Sequence, residues 1–319
     1  MNSRKQRPRW HELSERVRQQ IEYLVGSPVV AAYNCPGGYS PGFASRLTLA
    51  CGRKVFAKAI DGSAWPFDAR TYRNEANNAA GLTAAGLANV LPTPRLLGSC
   101  EVDSHVVLAF ECVDGSEPSS PWRPDELTVV AAAISRMSAL LTPSPLTVPD
   151  DHPRLGGWAE LTALNETGLR ALPWAARHLT ELIELERRGL VAARGTALVH
   201  FDALPHNILL TPAGVMLVDW PHARHRAPVI DLLTVLASAA ADGIEPEPVF
   251  RVQPAAATIN AADTDAILAA LSGFSLAGAL NEACPAAIAA AKLHLGRGAL
   301  AWLRFRLGVT STASWHRSY

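Results

Sequence analysis

The stretch Val199-His-Phe-Asp-Ala-Leu-Pro-His-Asn-Ile-Leu-Leu210 runs through a turn, Thr211-Pro-Ala-Gly214, into Val215-Met-Leu-Val-Asp-Trp-Pro221. Two apolar β-type runs, Ile208–Leu210 and Val215–Val218, flank that turn, and a loop with Asp202 precedes them. A hairpin of this kind sets Asn207 at the start of one strand and Asp219 at the end of the other. The two polar side chains then stand at neighbouring ends, and Asp202 lies on the loop that leads into them.

On either side the chain has two characters. The first third is β-rich: strand-like runs at Val29–Tyr33, Ser45–Ala50, Lys54–Ile60, Arg95–Ser99 and His105–Glu111, with one helix over Thr71–Ala85 ahead of Gly86. A further helix, Trp10–Val25, leads in and stops at Gly26 and Pro28. After Asp114-Gly115 the pattern turns helical, over Glu126–Leu141, Ala175–Arg188, Val229–Ala241, Asp263–Leu271 and Pro285–Leu307. The expected organisation is α+β: a small β-rich lobe over 1–112 and a larger, mainly helical lobe over 113–319. A cleft between lobes is a favoured place for a ligand. Proline-rich patches at Glu117–Pro124 and Pro143–Pro153 read as loops, and there is no internal repeat.

With 319 residues, half of them apolar, the chain can bury a sizeable core. The 29 basic and 29 acidic residues cancel, and no basic tract stands out. This argues against nucleic acid or an anionic membrane as the main partner. Cys35, Cys51, Cys100, Cys112 and Cys284 are widely spaced and form no C-x-x-C pair, so neither a disulfide framework nor a thiolate zinc site is expected. No secretory leader or membrane-length apolar run is read. The expectation is a cytoplasmic protein with no obligate protein partner. The lysines are Lys5, Lys54, Lys58 and Lys292, which makes the position of Lys58 in Val-Phe-Ala-Lys more informative.

Moving a phosphoryl group from ATP requires a carboxylate to orient or deprotonate the attacking hydroxyl and oxygen ligands to hold magnesium. His200-Phe-Asp202 with Asn207, then Asp219-Trp220, resembles the catalytic and magnesium-binding motifs of the aminoglycoside phosphotransferase family, within the kinase-like superfamily. Further pieces fall in the family's order. Gly37, Gly38 and Gly42 lie where a glycine-rich phosphate loop belongs, and Lys58 is placed like the strand lysine for the α- and β-phosphates. Glu75 is placed like its ion-pair partner. Leu108-Ala-Phe-Glu-Cys-Val-Asp-Gly115 looks like the last strand of the small lobe entering a hinge, with the backbone of Glu111 and Val113 at the adenine. The resemblance covers about Pro36 to Leu233. It implies a two-lobed protein-kinase-like fold and an ATP- and Mg2+-dependent phosphotransferase acting on a hydroxyl of a small molecule. Asp202 would be its base, and Asn207 and Asp219 its metal ligands. Asp231 matches a structural aspartate of the family, and helix capping alone accounts for it at this stage. His200 is expected to hold the loop by hydrogen bonds.

The departures from the family's pattern are specific. Position 201 is Phe where these enzymes usually carry Gly, Leu204 replaces a frequent basic residue, and His206 could compensate for it. Asp-Trp-Pro stands in place of Asp-Phe-Gly. Pro221 fixes its own φ and restricts Trp220, which argues against a flipping regulatory segment. Among acceptor-lobe residues Asp151, Glu160 and Glu166 could favour a polycation, while Arg154, Arg170, Arg177, Arg304 and Arg306 balance them. Trp158, Trp174, Trp302 and Trp315 line an acceptor with apolar faces or form core. Aminoglycoside-like antibiotics, sugars and amino alcohols are all compatible acceptors.

Three other readings compete with this one. Gly38-Tyr-Ser-Pro-Gly42 matches a hydrolase nucleophile elbow, but Pro41 lacks the N–H that an oxyanion needs, and the flanks read strand–loop–strand. His200, His206, His222 and His225 could hold a metal, yet Arg224 and Arg226 beside them would repel it. A nucleotide-binding pseudokinase or interaction module is the non-catalytic alternative, and the intact Lys58, Asp202, Asn207 and Asp219 rank it below an enzyme.

Overall fold

In the computed structural model, residues 7–35, 37–148, 155–164 and 172–309 are described. They form two compact units. One takes the described residues of Met1–Glu117 together with Pro205–Ala223, and the other takes Pro118–Leu204 with Arg224–Tyr319.

The first unit is built on five antiparallel strands: β1 (Val29–Asn34), β2 (Phe43–Leu49), β3 (Lys54–Asp61), β4 (Leu96–Val102) and β5 (His105–Glu111), in the order β1-β2-β3-β5-β4. Alternation along the strands sorts side chains onto two faces. Val55, Ala57 and Ala59 of β3, with Val107 and Ala109 of β5, pack under helix α1 (Glu15–Val25), which offers Val17, Ile21 and Val25. The opposite set, Ile60 with Val106, Leu108 and Phe110, packs against helix α2 (Pro66–Ala84) through Ala69, Tyr72 and Ala76. Lys58 is on this second face by the same period of two, opposite Leu108 in the β3–β5 register.

Helix α1 begins later than the sequence suggests. Trp10–Glu12 is a short 3-10 turn, and Ser14 restarts the chain as N-cap, accepting from the Val17 N–H at 3.3 Å. Gly26 closes the helix at φ +71, a conformation that costs glycine little. Helix α2 starts earlier than expected because Pro66 occupies its first turn, where a missing N–H is harmless. The hairpin β7 (Ile208–Thr211) and β8 (Gly214–Leu217) also belongs to this unit, with Ile208 opposite Leu217. It is tied in by Ser116 and Leu210, which exchange backbone hydrogen bonds at 3.1 and 2.7 Å, and by Leu217 N–H on the Pro92 carbonyl at 2.7 Å.

The second unit is helical. It comprises helices α3 (Pro124–Leu140), α4 (Trp158–Leu164), α5 (Leu179–Ala192), α6 (Ile230–Ala241), α7 (Ala261–Leu280) and α8 (Ala286–Arg306), with a two-stranded ribbon of β6 (Ala197–Val199) and β9 (Arg224–Arg226). Helix α6 is buried from Ile230 to Ala240, which explains its nearly unbroken apolar sequence. Backbones approach closely at glycines. A Cβ on Gly298 of α8 would fall 1.9 Å from the Ala237 carbonyl oxygen, and one on Gly189 of α5 would fall 2.1 Å from that of Ala266. Trp158 and Trp302 are fully buried, with indole N–H groups on the Ala269 carbonyl (2.8 Å) and on Glu247 (2.9 Å). Both are therefore core and not acceptor walls. Asp151, Arg154, Glu166, Arg170 and Trp315 lie outside the described residues. Among the described residues no helix is long and apolar enough to cross a membrane.

Candidate functional site

Within the first unit, three elements converge on Lys58. Strand β3 presents its ammonium on the α2 face. Helix α2 offers Glu75 from the stripe that also carries Tyr72 and Asn78. The end of β8 brings Asp219. Lys58 Nζ is 3.0 Å from Asp219 Oδ1 and in direct ion contact with Glu75; it also lies 5.0 Å above the Tyr72 ring. Lys58 and Glu75 are buried, whereas the Asp219 side chain is 49% exposed. Burial works against the Lys58 charge, but Asp219 and then Glu75 outweigh it and hold the ammonium charged above the usual lysine range. Burial likewise raises the Glu75 carboxyl, against the pull of Lys58.

Asp219 is pinned on both sides. The N–H of Val218 donates to the Asn207 carbonyl at 2.9 Å, which continues the β7–β8 ladder and sets Asn207 beside the end of β8. The Trp220 carbonyl accepts from Asn78 Nδ2 at 2.8 Å, and its indole N–H donates to the Leu217 carbonyl at 3.2 Å. Asp219 itself has φ +66, a left-handed conformation that costs a non-glycine residue about 1–2 kcal/mol and that the two flanking bonds enforce. Asn78 was not singled out from the sequence, although its spacing from Glu75 on one helical stripe is a signal. Asn207 is 3% exposed. Its amide oxygen and the Asp219 carboxylate are hard donors of the kind that, with phosphate oxygens, suit Mg2+. With Asp219 half-open, the pair fits such an ion. Among the described residues no group of three or more His, Cys, Asp or Glu side chains could hold a metal. The histidine-site reading therefore finds no support: His206 meets the Tyr39 ring edge-on at 5.7 Å, and His225 bonds the Leu146 carbonyl at 2.8 Å.

Ser40 lies between β1 and β2, so it sits between strands and not ahead of a helix. Its hydroxyl is 3.0 Å from the Tyr72 phenol. A Cβ on Gly42 would fall 2.6 Å from the Ala59 carbonyl and 2.8 Å from the Tyr72 hydroxyl, so this position has no room for a side chain. Gly38 has φ +81, and Gly37 lies near Glu117. Glu111 ends β5 with its carboxylate on Arg95 (Nε to Oε1, 2.8 Å) and its N–H on the Arg95 carbonyl at 3.0 Å. Val113 lies beyond the strand, and its backbone takes no hydrogen bond from a described residue.

Asp202 is in the second unit, just after β6. Its N–H donates to His200 Nδ1 at 3.3 Å, and its carbonyl accepts from Leu204 at 2.9 Å. His200 is fully buried and does brace this loop. Asp231 corrects the sequence reading. It is the second residue of α6, not its N-cap, and its carboxylate accepts from the His200 N–H (Oδ2, 2.7 Å) and the Phe201 N–H (Oδ1, 2.8 Å). Burial raises its pKa, and these two backbone bonds oppose the rise. Phe201 has φ +66, which gives a backbone reason for the glycine usual in the family at that place. Here the ring lies 4.3 Å from the Arg224 guanidinium and 5.7 Å from that of Arg226.

The family model described as the phosphotransferase enzyme family matches residues 63–299. Among solved structures, an aminoglycoside phosphotransferase from Alicyclobacillus acidocaldarius is similar at 16% identity with a TM-score of 0.61, covering 88% of this chain and 92% of that one. An amicoumacin kinase in complex with AMP-PNP, Ca2+ and Ami is similar at 11% identity and TM-score 0.53, covering 90% and 93%. A macrolide 2'-phosphotransferase from Brachybacterium faecium is similar at 17% identity and TM-score 0.52, covering 86% and 96%. At these identities the likeness is one of fold, the α+β protein-kinase-like fold. No curated protein matches the sequence.

Proposed function

Since the chain belongs to the phosphotransferase enzyme family, and so is a small-molecule phosphotransferase, we propose that it transfers the γ-phosphate of ATP to a hydroxyl of an antibiotic-like molecule, a sugar or an amino alcohol. The observation that carries this reading is the Lys58 ammonium held by buried Glu75 and by Asp219 at 3.0 Å. It is a fixed positive charge whose second partner sits at the mouth of a magnesium-type donor pair. Lys58 holds the α- and β-phosphates, with Glu75 orienting it. Gly37, Gly38 and Gly42 let the loop backbone come close to the phosphates. The backbone of Glu111 and Val113 receives adenine. Asn207 and Asp219 hold magnesium, which when bound supplies positive charge against the phosphate oxygens.

Asp202 is the base. Its carboxylate orients the acceptor hydroxyl and takes its proton as the oxygen attacks the γ-phosphorus, and ADP leaves. His200 and Asp231 hold the loop that presents it. Nucleotide binding falls to 1–112, catalysis and acceptor binding to 113–319, and the reading implies a cytoplasmic protein with ATP at hand. AMP-PNP and Ca2+ in the amicoumacin kinase structure support a nucleotide with a divalent cation.

The test is a screen of ATP consumption with Mg2+ over antibiotics, sugars and amino alcohols, with product identified by mass, for wild type and Asp202→Ala. We expect phosphorylated product from wild type, a loss of about 10²–10⁴-fold in the variant, and ATP binding retained. Equal consumption by both proteins across the screen would overturn the assignment and leave the nucleotide-binding module as the reading.

A further inference from the structure

Ahead of α1 the chain is pinned along the sheet. Asn34 Nδ2 donates to the Pro8 carbonyl at 3.1 Å, and Asn34 Oδ1 in turn accepts from the Ser45 hydroxyl at 2.7 Å. The Trp10 ring packs against Phe43 with centroids 6.0 Å apart. These anchors deliver Arg7, half-buried, to the glycine-rich loop. A Cβ built on Gly38 would lie 2.6 Å from Arg7 Nη2, so the guanidinium rests on the loop where a side chain would stand.

That guanidinium and Lys58 act on one common group, the Tyr72 phenol. Burial raises the Tyr72 phenol, while the Lys58 charge, the Ser40 hydrogen bond and the Arg7 charge pull it down. Arg7 is thus close enough to act on the hydroxyl that closes the base of the loop. Lys58 is neutralised by two carboxylates, yet Arg7 makes no ion pair with a described residue. A carboxylate, that of Glu117, approaches the loop at Gly37 and not at Gly38. A planar fork of donors beside turning main chain, with no carboxylate on it, is suited to phosphate oxygens.

We propose that Arg7 is a phosphate-binding residue, bringing from the N-terminal segment a second cation to the glycine-rich loop. This rests on the ATP reading above. Such a cation acts on the phosphate chain and not on the base, so its effect grows with the number of phosphates. Asn34 and Trp10 are its positioning residues.

The experiment is calorimetric binding of adenosine, ADP and ATP, each with Mg2+, to the full chain as wild type, Arg7→Ala and Arg7→Glu, with thermal melts as the folding control. For Arg7→Ala we expect ATP binding weaker by about 10–100-fold, the span of one charge-assisted contact. ADP should lose less and adenosine should be unchanged, with Arg7→Glu weaker still on ATP. An ATP affinity in Arg7→Ala within twofold of wild type overturns the inference while leaving the ATP reading in place. Equal weakening of all three ligands also overturns it, because the segment then only supports the loop. A wild type that binds none of the three overturns the ATP reading, and this inference with it.

Discussion

Replacing Asp231 by Asn keeps the shape of the side chain and reverses the hydrogen bonding at one of its two ends. In the native protein Oδ2 accepts from the His200 N–H at 2.7 Å and Oδ1 from the Phe201 N–H at 2.8 Å, with the residue 3% exposed. An amide can accept only one of these bonds. The other backbone N–H then faces an NH2 group in a place water does not reach. The lost bond to a charged acceptor is worth about 1.5–3 kcal/mol, and the stranded donor costs about 1–3 kcal/mol. Part of this is offset because the amide need not bury a charge, the burden that raises the Asp231 pKa. We expect a net loss of about 2–4 kcal/mol.

The damage should be local before it is global, since Phe201 keeps its left-handed backbone against a cost of about 1–2 kcal/mol only while that carboxylate holds it. Hydrogen exchange should show the amides of His200 and Phe201 losing protection. Urea unfolding read from the buried Trp122 and Trp158 should shift to lower denaturant, and turnover should fall because the loop presenting Asp202 is no longer fixed. An Asp231→Asn protein with the wild-type urea midpoint, exchange pattern and kcat would refute the account of this carboxylate as the brace of the loop.

Position 201 should invert the usual order of small residues: Phe201→Gly should be more stable than Phe201→Ala by about 1 kcal/mol, because glycine alone escapes the left-handed penalty. Both should melt below wild type, which keeps the ring against the buried Arg224; differential scanning calorimetry ranks the three. Gly298→Ala should destabilise by about 1–3 kcal/mol, measured by chemical unfolding, because its Cβ would meet the Ala237 carbonyl of the rigid helix α6. The Asp61 carboxyl is pulled down to about 2 by the Ser63 hydroxyl, then by Ser104 and the Ser63 N–H. A folded pKa below the unfolded one stabilises above about pH 4 and loses that contribution as pH falls through about 2. Carbon NMR should find that midpoint, and Ser63→Ala should move it upward.

Short-range pattern carried much of the reading. The strands of the first unit and the β7–β8 hairpin were legible because a period of two leaves a direct trace in the residues, and the turn Thr211–Gly214 is written in Pro and Gly. Lys58 was tied to Glu75 only by the family resemblance; in the structure the strand and the helix each turn one face to the other, and the two side chains meet there. The reading failed where the cause is distant in sequence. The pairing of Ala197–Val199 with Arg224–Arg226 joins three residues to three, too few to show an alternation. The role of Asp231 depends on two N–H groups brought to it by folding, so helix capping was the only local account available. The α2 start at Pro66 was missed for a local reason: the expected helix began at Thr71, and the place of a proline in a first turn was not used. The Phe201 departure was visible, but only its positive φ explains why a glycine belongs there.

The hairpin Pro205–Ala223 is part of the first unit although it is encoded after the whole of α3–α5. On the ribosome, the five-stranded sheet is complete once β5 has emerged, but Asp219 and the Trp220 carbonyl that Asn78 binds are still roughly a hundred residues from synthesis. At ordinary elongation rates of about 5–20 residues per second, that interval is about 5–20 s. During it the Lys58 ammonium lacks its second carboxylate, and the Asn78 amide has no Trp220 to bind. The nascent sheet therefore waits in an unfinished form, a natural client for a chaperone. For the same reason a fragment ending at Glu117 would be a permanent version of that intermediate, lacking the segment that closes its polar centre.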